Sequence, residues 1–166
     1  MIVLIEGNEG TGKTTLIDNL FNEIKFVRAK YIKGMNVMDL FKFMANDENL
    51  YIIDRSFISD MVYRAIDGHK SVNTLFDICY FMDIYAPYTK VIFCNNDNAF
   101  ENAIRRGEKN ITTRAAHKDV ENGFKFVRSL INNFTRVETF DYDYDYDSID
   151  DVIKFIKEGW NDTVSI

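Results

Sequence analysis

Short apolar runs alternate with longer amphipathic stretches along the 166 residues of the chain. The runs at 2–5, 26–32, 50–53, 91–94 and 136–140 have strand length and end in polar or turn-forming residues. Between them, apolar positions recur at helical spacing over 13–24, 37–45, 59–67, 72–85, 98–106 and 117–134. A last helix is predicted over 149–159, with Ser148 and Asp151 spaced as a capping box. Strands that alternate with helices predict βαβ units, so the expected architecture is α/β, with a five-stranded, mainly parallel sheet between two helical layers. Pro87 precedes the fourth strand and is expected to end the helix before it. With no linker and no repeat, 1–166 reads as a single domain.

The first turn between strand and helix is GNEGTGKTT, residues 7–15. Gly7, Gly12, Lys13 and Thr14 satisfy G-x-x-x-x-G-K-[ST] between an apolar strand and an amphipathic helix. Glycines let successive backbone N–H groups face phosphate oxygens, and the helix dipole adds to that attraction. Gly7, Asn8, Gly10, Thr11, Gly12, Lys13, Thr14 and Thr15 are therefore expected to hold the phosphates of ATP, with Lys13 on the β- and γ-phosphates and the Thr14 hydroxyl on Mg²⁺. The fold this implies is the three-layer P-loop NTPase fold. Glu9, an acid at the mouth of an anion site, is the odd residue in the loop.

The second half of the site narrows the chemistry. LYIIDRS, 50–56, ends its strand in Asp54, the expected acid that holds Mg²⁺ through water, and Arg55 follows. An ATP-driven motor would carry a second acid there. The GTPase strings D-x-x-G and N-K-x-D are absent from the sequence. Phosphoryl transfer to a small acceptor is what remains, with Arg55 either near the phosphates or held in a surface ion pair. Arg105, Arg106, Lys109, Arg114 and Lys118 gather around a polar connection between two helices. As a lid over about 105–116 they would spread positive charge over the transferring group and exclude water; the plain alternative is a solvated basic loop.

Composition adds limits. The net charge of −6 argues against an electrostatic nucleic-acid binder. The acids concentrate at 138–151, ETFDYDYDYDSIDD, which has seven acids and no base; the remainder has 20 bases against 19 acids. The Tyr/Asp stretch within it lacks the glycine and closing glutamate of a calcium loop and is expected to be a solvated turn. No apolar run reaches membrane-span length and the N-terminus is unlike a signal peptide, so a cytoplasmic protein without a membrane partner is expected. Cys79 and Cys94 read as buried reduced thiols, and His69 and His117 as surface residues.

IEGNEGTGKTTL resembles the start of bacterial thymidylate kinases, which carry a similar acid two places after the first loop glycine. DRSFISDMVYR is similar to the DR-x-x-x-S-x-x-x-Y stretch of that family and to the ERS segment of deoxynucleoside kinases, and ENGFKFVRSLINNF resembles the helix after the family's lid. The resemblance implies an ATP- and Mg²⁺-dependent kinase of a nucleoside monophosphate, a deoxypyrimidine such as dTMP. It also implies that Glu9 faces the acceptor sugar or the transfer path, and that Arg55 contacts the acceptor phosphate in a pocket lined by Ser59 and Tyr63. Arg105, Arg106 and Arg114 inherit the role of the lid arginine. Of the aromatic residues, Phe57 and Tyr63 are expected to reach a ligand. The family's R-E-P-G-G-T stretch has no counterpart in AKYIKGMNVMDLF, near Arg28, Lys30 and Lys33. That departure keeps two alternatives open: a deoxynucleoside kinase with Glu9 as base, and a non-catalytic module that senses ATP. A nucleotide or nucleoside is the expected small-molecule partner, and a homodimer is compatible with the sequence.

Overall fold

β1 (Ile2–Glu6) is buried along its whole length, and its side chains alternate between two apolar layers. Ile2 and Leu4 enter one core and Val3 and Ile5 the other, as period-two geometry requires of a central strand covered on both faces. Each such side chain contributes roughly 1.5–3 kcal/mol by burial.

The computed structural model describes residues 1–30, 37–38, 49–71, 74–107 and 113–158. After β1 come α1 (Lys13–Glu23), β2 (Val27–Lys30), β3 (Tyr51–Asp54), α2 (Phe57–Ile66), α3 (Leu75–Ile84) and a 3-10 turn (Ala86–Tyr88). Then follow β4 (Thr89–Asn95), α4 (Ala99–Arg105), α5 (Arg114–Phe134), β5 (Glu138–Asp143) and α6 (Ile149–Lys157). The described strands form one sheet in the order β2-β3-β1-β4-β5, and every pairing is parallel. The expected α/β three-layer arrangement is present, and "mainly parallel" sharpens to all parallel. One core lies between the sheet and α2, α3 and α5, and the other between the sheet and α1 and α6.

Element ends differ from expectation for local reasons. α2 starts at Phe57 because the Ser56 hydroxyl accepts from Ile58 N, and α5 starts at Arg114 because Thr113 caps Ala116 N. Thr74 and Asp77 form a reciprocal capping box at the start of α3, whereas at α6 Ser148 accepts from Asp151 N. Pro87 sits in the 3-10 turn that follows α3. The expected helix over 37–45 lies outside the described residues except for Val37 and Met38, which are helical.

β5 extends into the Tyr/Asp stretch, which corrects the reading of that stretch as a solvated turn throughout. Tyr142 is buried in the α1/α6 core, and Asp141 pairs with Arg128 of α5. Alternation of Tyr and Asp is a strand pattern here, one phase apolar and the other charged. Cys94 is buried as expected, but Cys79 only half-buried. Among the described residues, no helix is long and apolar enough to cross a membrane.

Because the connections after β1 and β4 depart toward opposite ends of the sheet, a crevice opens at the carboxyl ends of these neighbouring strands. The glycine loop lies there.

Candidate active site

The loop between β1 and α1 is shaped by its glycines. Gly10 has φ 80°, and a Cβ there would collide with the Ala99 carbonyl at the start of α4, so the loop and α4 can only approach this closely at glycine. Gly12 is the N-cap of α1, in left-handed conformation, with no side chain capping the helix. The first N–H groups of α1 are thereby presented as an anion site.

Lys13 is buried under the loop. Its ammonium donates to the Asn8 carbonyl and, at 3.3 Å, to the Thr11 hydroxyl, which itself donates to the Asn8 carbonyl at 2.8 Å. Burial, and after it the Arg55 charge, pull the Lys13 pKa down to about 8, against the opposing charges of Asp54 and Glu6. Thr14 is exposed on the first turn of α1. Asp54 ends β3 and accepts from Arg28 Nη2 at 3.1 Å; Arg28 also reaches Asp18 at 3.2 Å. Thr14 and Asp54 offer hard oxygen donors, which suits Mg²⁺, an ion that retains water and needs few protein ligands beside phosphate oxygens.

Arg55 ties the turn after β3 to the glycine loop. It is the one non-glycine residue with positive φ among those described, at 63°, a conformation that costs about 1–3 kcal/mol and persists only where its surroundings enforce it. The turn sends its guanidinium to Tyr63, whose hydroxyl accepts from Nη1 at 3.0 Å, and to Glu9, 3.8 Å from Nη2. Glu9 is only 3% exposed, and the Tyr63 hydroxyl lies 3.5 Å from Asn8 Oδ1. Acid, guanidinium and phenol thus converge on one side of the loop.

Two expected pocket residues are placed elsewhere. Phe57 is fully buried in the core beneath α2, so it packs the fold and does not reach a ligand pocket. Ser59 is buried, and its hydroxyl donates to Glu6 at 2.5 Å, so it secures α2 to β1. His117 corrects the surface reading as well. It lies on the buried stripe of α5 with Val120 and Phe124, 3.2 Å from the Glu9 carbonyl through Nε2, and its own carbonyl accepts from Asn8 Nδ2 at 2.8 Å.

The basic segment divides. Arg105 and Arg106, at the end of α4, line a pocket of about 380 Å³ with Gly12, Asn102 and Tyr144. Arg114 instead pairs with Glu101 and lies over the Phe100 ring at 5.1 Å. It lines a larger groove, about 760 Å³, between α5 and the β4 side of the sheet, floored by Phe93 and Cys94. The cations of that groove are balanced locally: Arg114 by Glu101, Lys118 and Lys125 by Glu121, and Arg128 by Asp141. Residues 108–112 of the expected lid, Lys109 among them, and Lys33 fall outside the described residues.

Sequence reasoning missed Glu6, His117 and Tyr144. Glu6 had a legible signal, since it continues the buried alternation of β1 with a charge.

No protein-family model and no curated protein matches the chain. Solved structures share its fold. The YorR protein of Bacillus subtilis, in complex with phosphorylated GDP, superposes with a TM-score of 0.73 at 20% identity, over 94% of this chain and 93% of that one. Deoxyadenosine kinase from M. mycoides with bound dCTP gives a TM-score of 0.61 at 16% identity, over 95% of this chain and 100% of the other. The same kinase with bound dATP gives 0.61 at 16%, over 97% and 100%. At these identities, what the chains share is the three-layer fold, with its five parallel strands.

Proposed function

We propose that the protein is an ATP- and Mg²⁺-dependent phosphotransferase whose acceptor is a nucleoside monophosphate, a deoxypyrimidine monophosphate such as dTMP in the first instance. The observation that carries the proposal is the Glu9–Arg55–Tyr63 cluster beside the glycine loop. A strained arginine aimed at the loop, with a buried acid beside it, suits an acceptor that brings its own negative charge close to the γ-phosphate. ATP fits the other side, with phosphates over the N-terminus of α1 and the base toward Tyr144, Arg105 and Arg106. Mg²⁺, held by Thr14 and by Asp54 through water, would neutralise the β- and γ-phosphate charge. Lys13 and the arginines at the end of α4 would stabilise the charge in transit, while Glu9 and Arg55 orient the acceptor. A phosphate oxygen is already ionised at neutral pH, so the transfer needs no strong base.

A second reading rests on Glu9. Its carboxylate already engages Arg55, and the fold is shared with a deoxyadenosine kinase; with a nucleoside acceptor, Glu9 would take the proton of the attacking sugar hydroxyl. ADP release measured with a panel of nucleosides and their monophosphates decides. Turnover confined to monophosphates is expected. Turnover confined to nucleosides replaces the first reading with the second, and ATP binding without acceptor-dependent turnover leaves an ATP-sensing module.

A further inference from the structure

Glu6 is fully buried at the end of β1, on the phase of the strand that faces α2. Its Oε1 accepts from Ser56 N at 2.7 Å and from the Ser56 hydroxyl at 2.5 Å, and its Oε2 accepts from the Ser59 hydroxyl at 2.5 Å. No lysine or arginine pairs with it directly among the described residues; the donors are neutral. Removing a carboxylate from water costs several kcal/mol, and an apolar residue at this position would continue β1 at no such cost. The bonds therefore need a reason, and their placement supplies one. They fasten the residue before Gly7 to the two serines that flank the left-handed turn on its α2 side, and Arg55 is the residue immediately before Ser56. Arg55 N also donates to the Ile5 carbonyl at 3.0 Å, so the turn is pinned to β1 on both sides.

We propose that Glu6 is a positioning residue: by accepting from Ser56 and Ser59 it holds the left-handed turn at Arg55, and so aims the Arg55 guanidinium at Glu9 and Tyr63. The clamp works through hydrogen-bond acceptance, not through charge. Burial pushes the Glu6 carboxyl up, against the pull of the serine donors and of Arg55, which agrees with a group whose shape is what the fold uses. A glutamine keeps Oε1 as acceptor for Ser56, and its Nε2 can donate to the Ser59 hydroxyl where Oε2 accepted from it, so the clamp is expected to hold; an alanine leaves both serines without it.

The inference rests on the kinase reading for its kinetic test and on geometry alone for its structural one. Glu6→Ala is expected to lower kcat/KM for the acceptor by about a hundredfold, the loss typical of a misplaced positioning group. The affinity for a fluorescent N-methylanthraniloyl ATP should change by less than about threefold, and Glu6→Gln should retain activity to within about threefold. In an Arg55→Ala background the further loss from Glu6→Ala should also stay under about threefold. Full additivity in that background, or a loss that Glu6→Gln shares, overturns the proposal. If the wild-type protein turns over no acceptor, the kinase reading fails separately, and crystal structures decide for Glu6. Loss of positive φ at Arg55 in Glu6→Ala but not in Glu6→Gln supports the clamp, and its retention in both overturns it. Should Glu6→Ala not fold, Glu6→Leu, which fills the volume without an acceptor, replaces it in both tests.

Discussion

Lys13 carries opposite consequences for binding and for stability. Its ammonium is buried among loop atoms, and its pKa falls from an ordinary 10.5 to about 8. Between those values the folded chain binds fewer protons than the unfolded one, so stability rises with pH across that window, and below it the buried charge opposes folding in full. Lys13→Met removes the charge and keeps most of the length. Without nucleotide at pH 7 the variant should therefore melt above the wild type, by several degrees for a destabilisation of about 2–3 kcal/mol. The advantage should fade as pH approaches 10.5, and the variant should have lost nearly all turnover. A melting temperature below wild type at pH 7 would show that the Asn8 and Thr11 bonds outweigh desolvation. This residue was legible in the sequence because a contiguous motif specifies it. The partners of Glu6 and His117 were not, because they lie 50 and 108 residues away and only folding brings them together. Phe57 was misread for the same reason: an aromatic at the start of a helix has no visible side until the core beneath it is known.

Strand and helix existence was legible because period two and period 3.6 are local signals; the ends were not, because caps decide them. The fit between elements shows what periodicity leaves out. α5 crosses α2 where Gly123 meets Val62, and a Cβ at Gly123 would stand 2.7 Å from Val62 Cγ1. Alanine would favour the helix by about 1 kcal/mol, but the β-branched valine is stiff and cannot turn aside freely. Overpacking costs roughly 1–3 kcal/mol, so after the helix gain Gly123→Ala should be net destabilising by up to about 2 kcal/mol in urea denaturation. Adding Val62→Ala should recover the part due to the clash, read as a non-additive cycle. The consequence extends to the site, since Tyr63 is the next residue along α2 and packs edge-on against Phe124 of α5 at 6.2 Å. Separating the helices would draw its hydroxyl from Arg55. A Gly123→Ala variant more stable than wild type by about 1 kcal/mol, the full helix gain, would mean that the helices part without cost.

At the scale of the molecule, the sheet brings distant segments to one edge: the loop after β1, the turn after β3, the end of α4 and the turn after β5. α3 also turns Phe76 and Tyr80 outward, stacked at 5.9 Å. The turn after β5 tests the assembly, because nothing in its low-complexity sequence marked it as part of a site. Asp147 accepts from Asp143 N at 2.7 Å and Asp143 from Asp145 N at 3.0 Å, which closes the turn and brings Tyr144 against Gly12, where a Cβ would be 3.3 Å away. Its ring faces the pocket shared with Arg105 and Arg106, a placement suited to stacking on the donor base. Tyr144→Ala should weaken binding of N-methylanthraniloyl ATP about tenfold, equivalent to about 1.4 kcal/mol. At ATP concentrations about 100-fold above the wild-type Kd, the ligand's contribution to stability should fall from about 2.7 kcal/mol to roughly half that. Tyr144→Phe should behave as wild type if stacking is the contribution. Unchanged affinity in Tyr144→Ala would move the donor base away from this pocket, leaving the phosphates at α1 as the fixed point of binding.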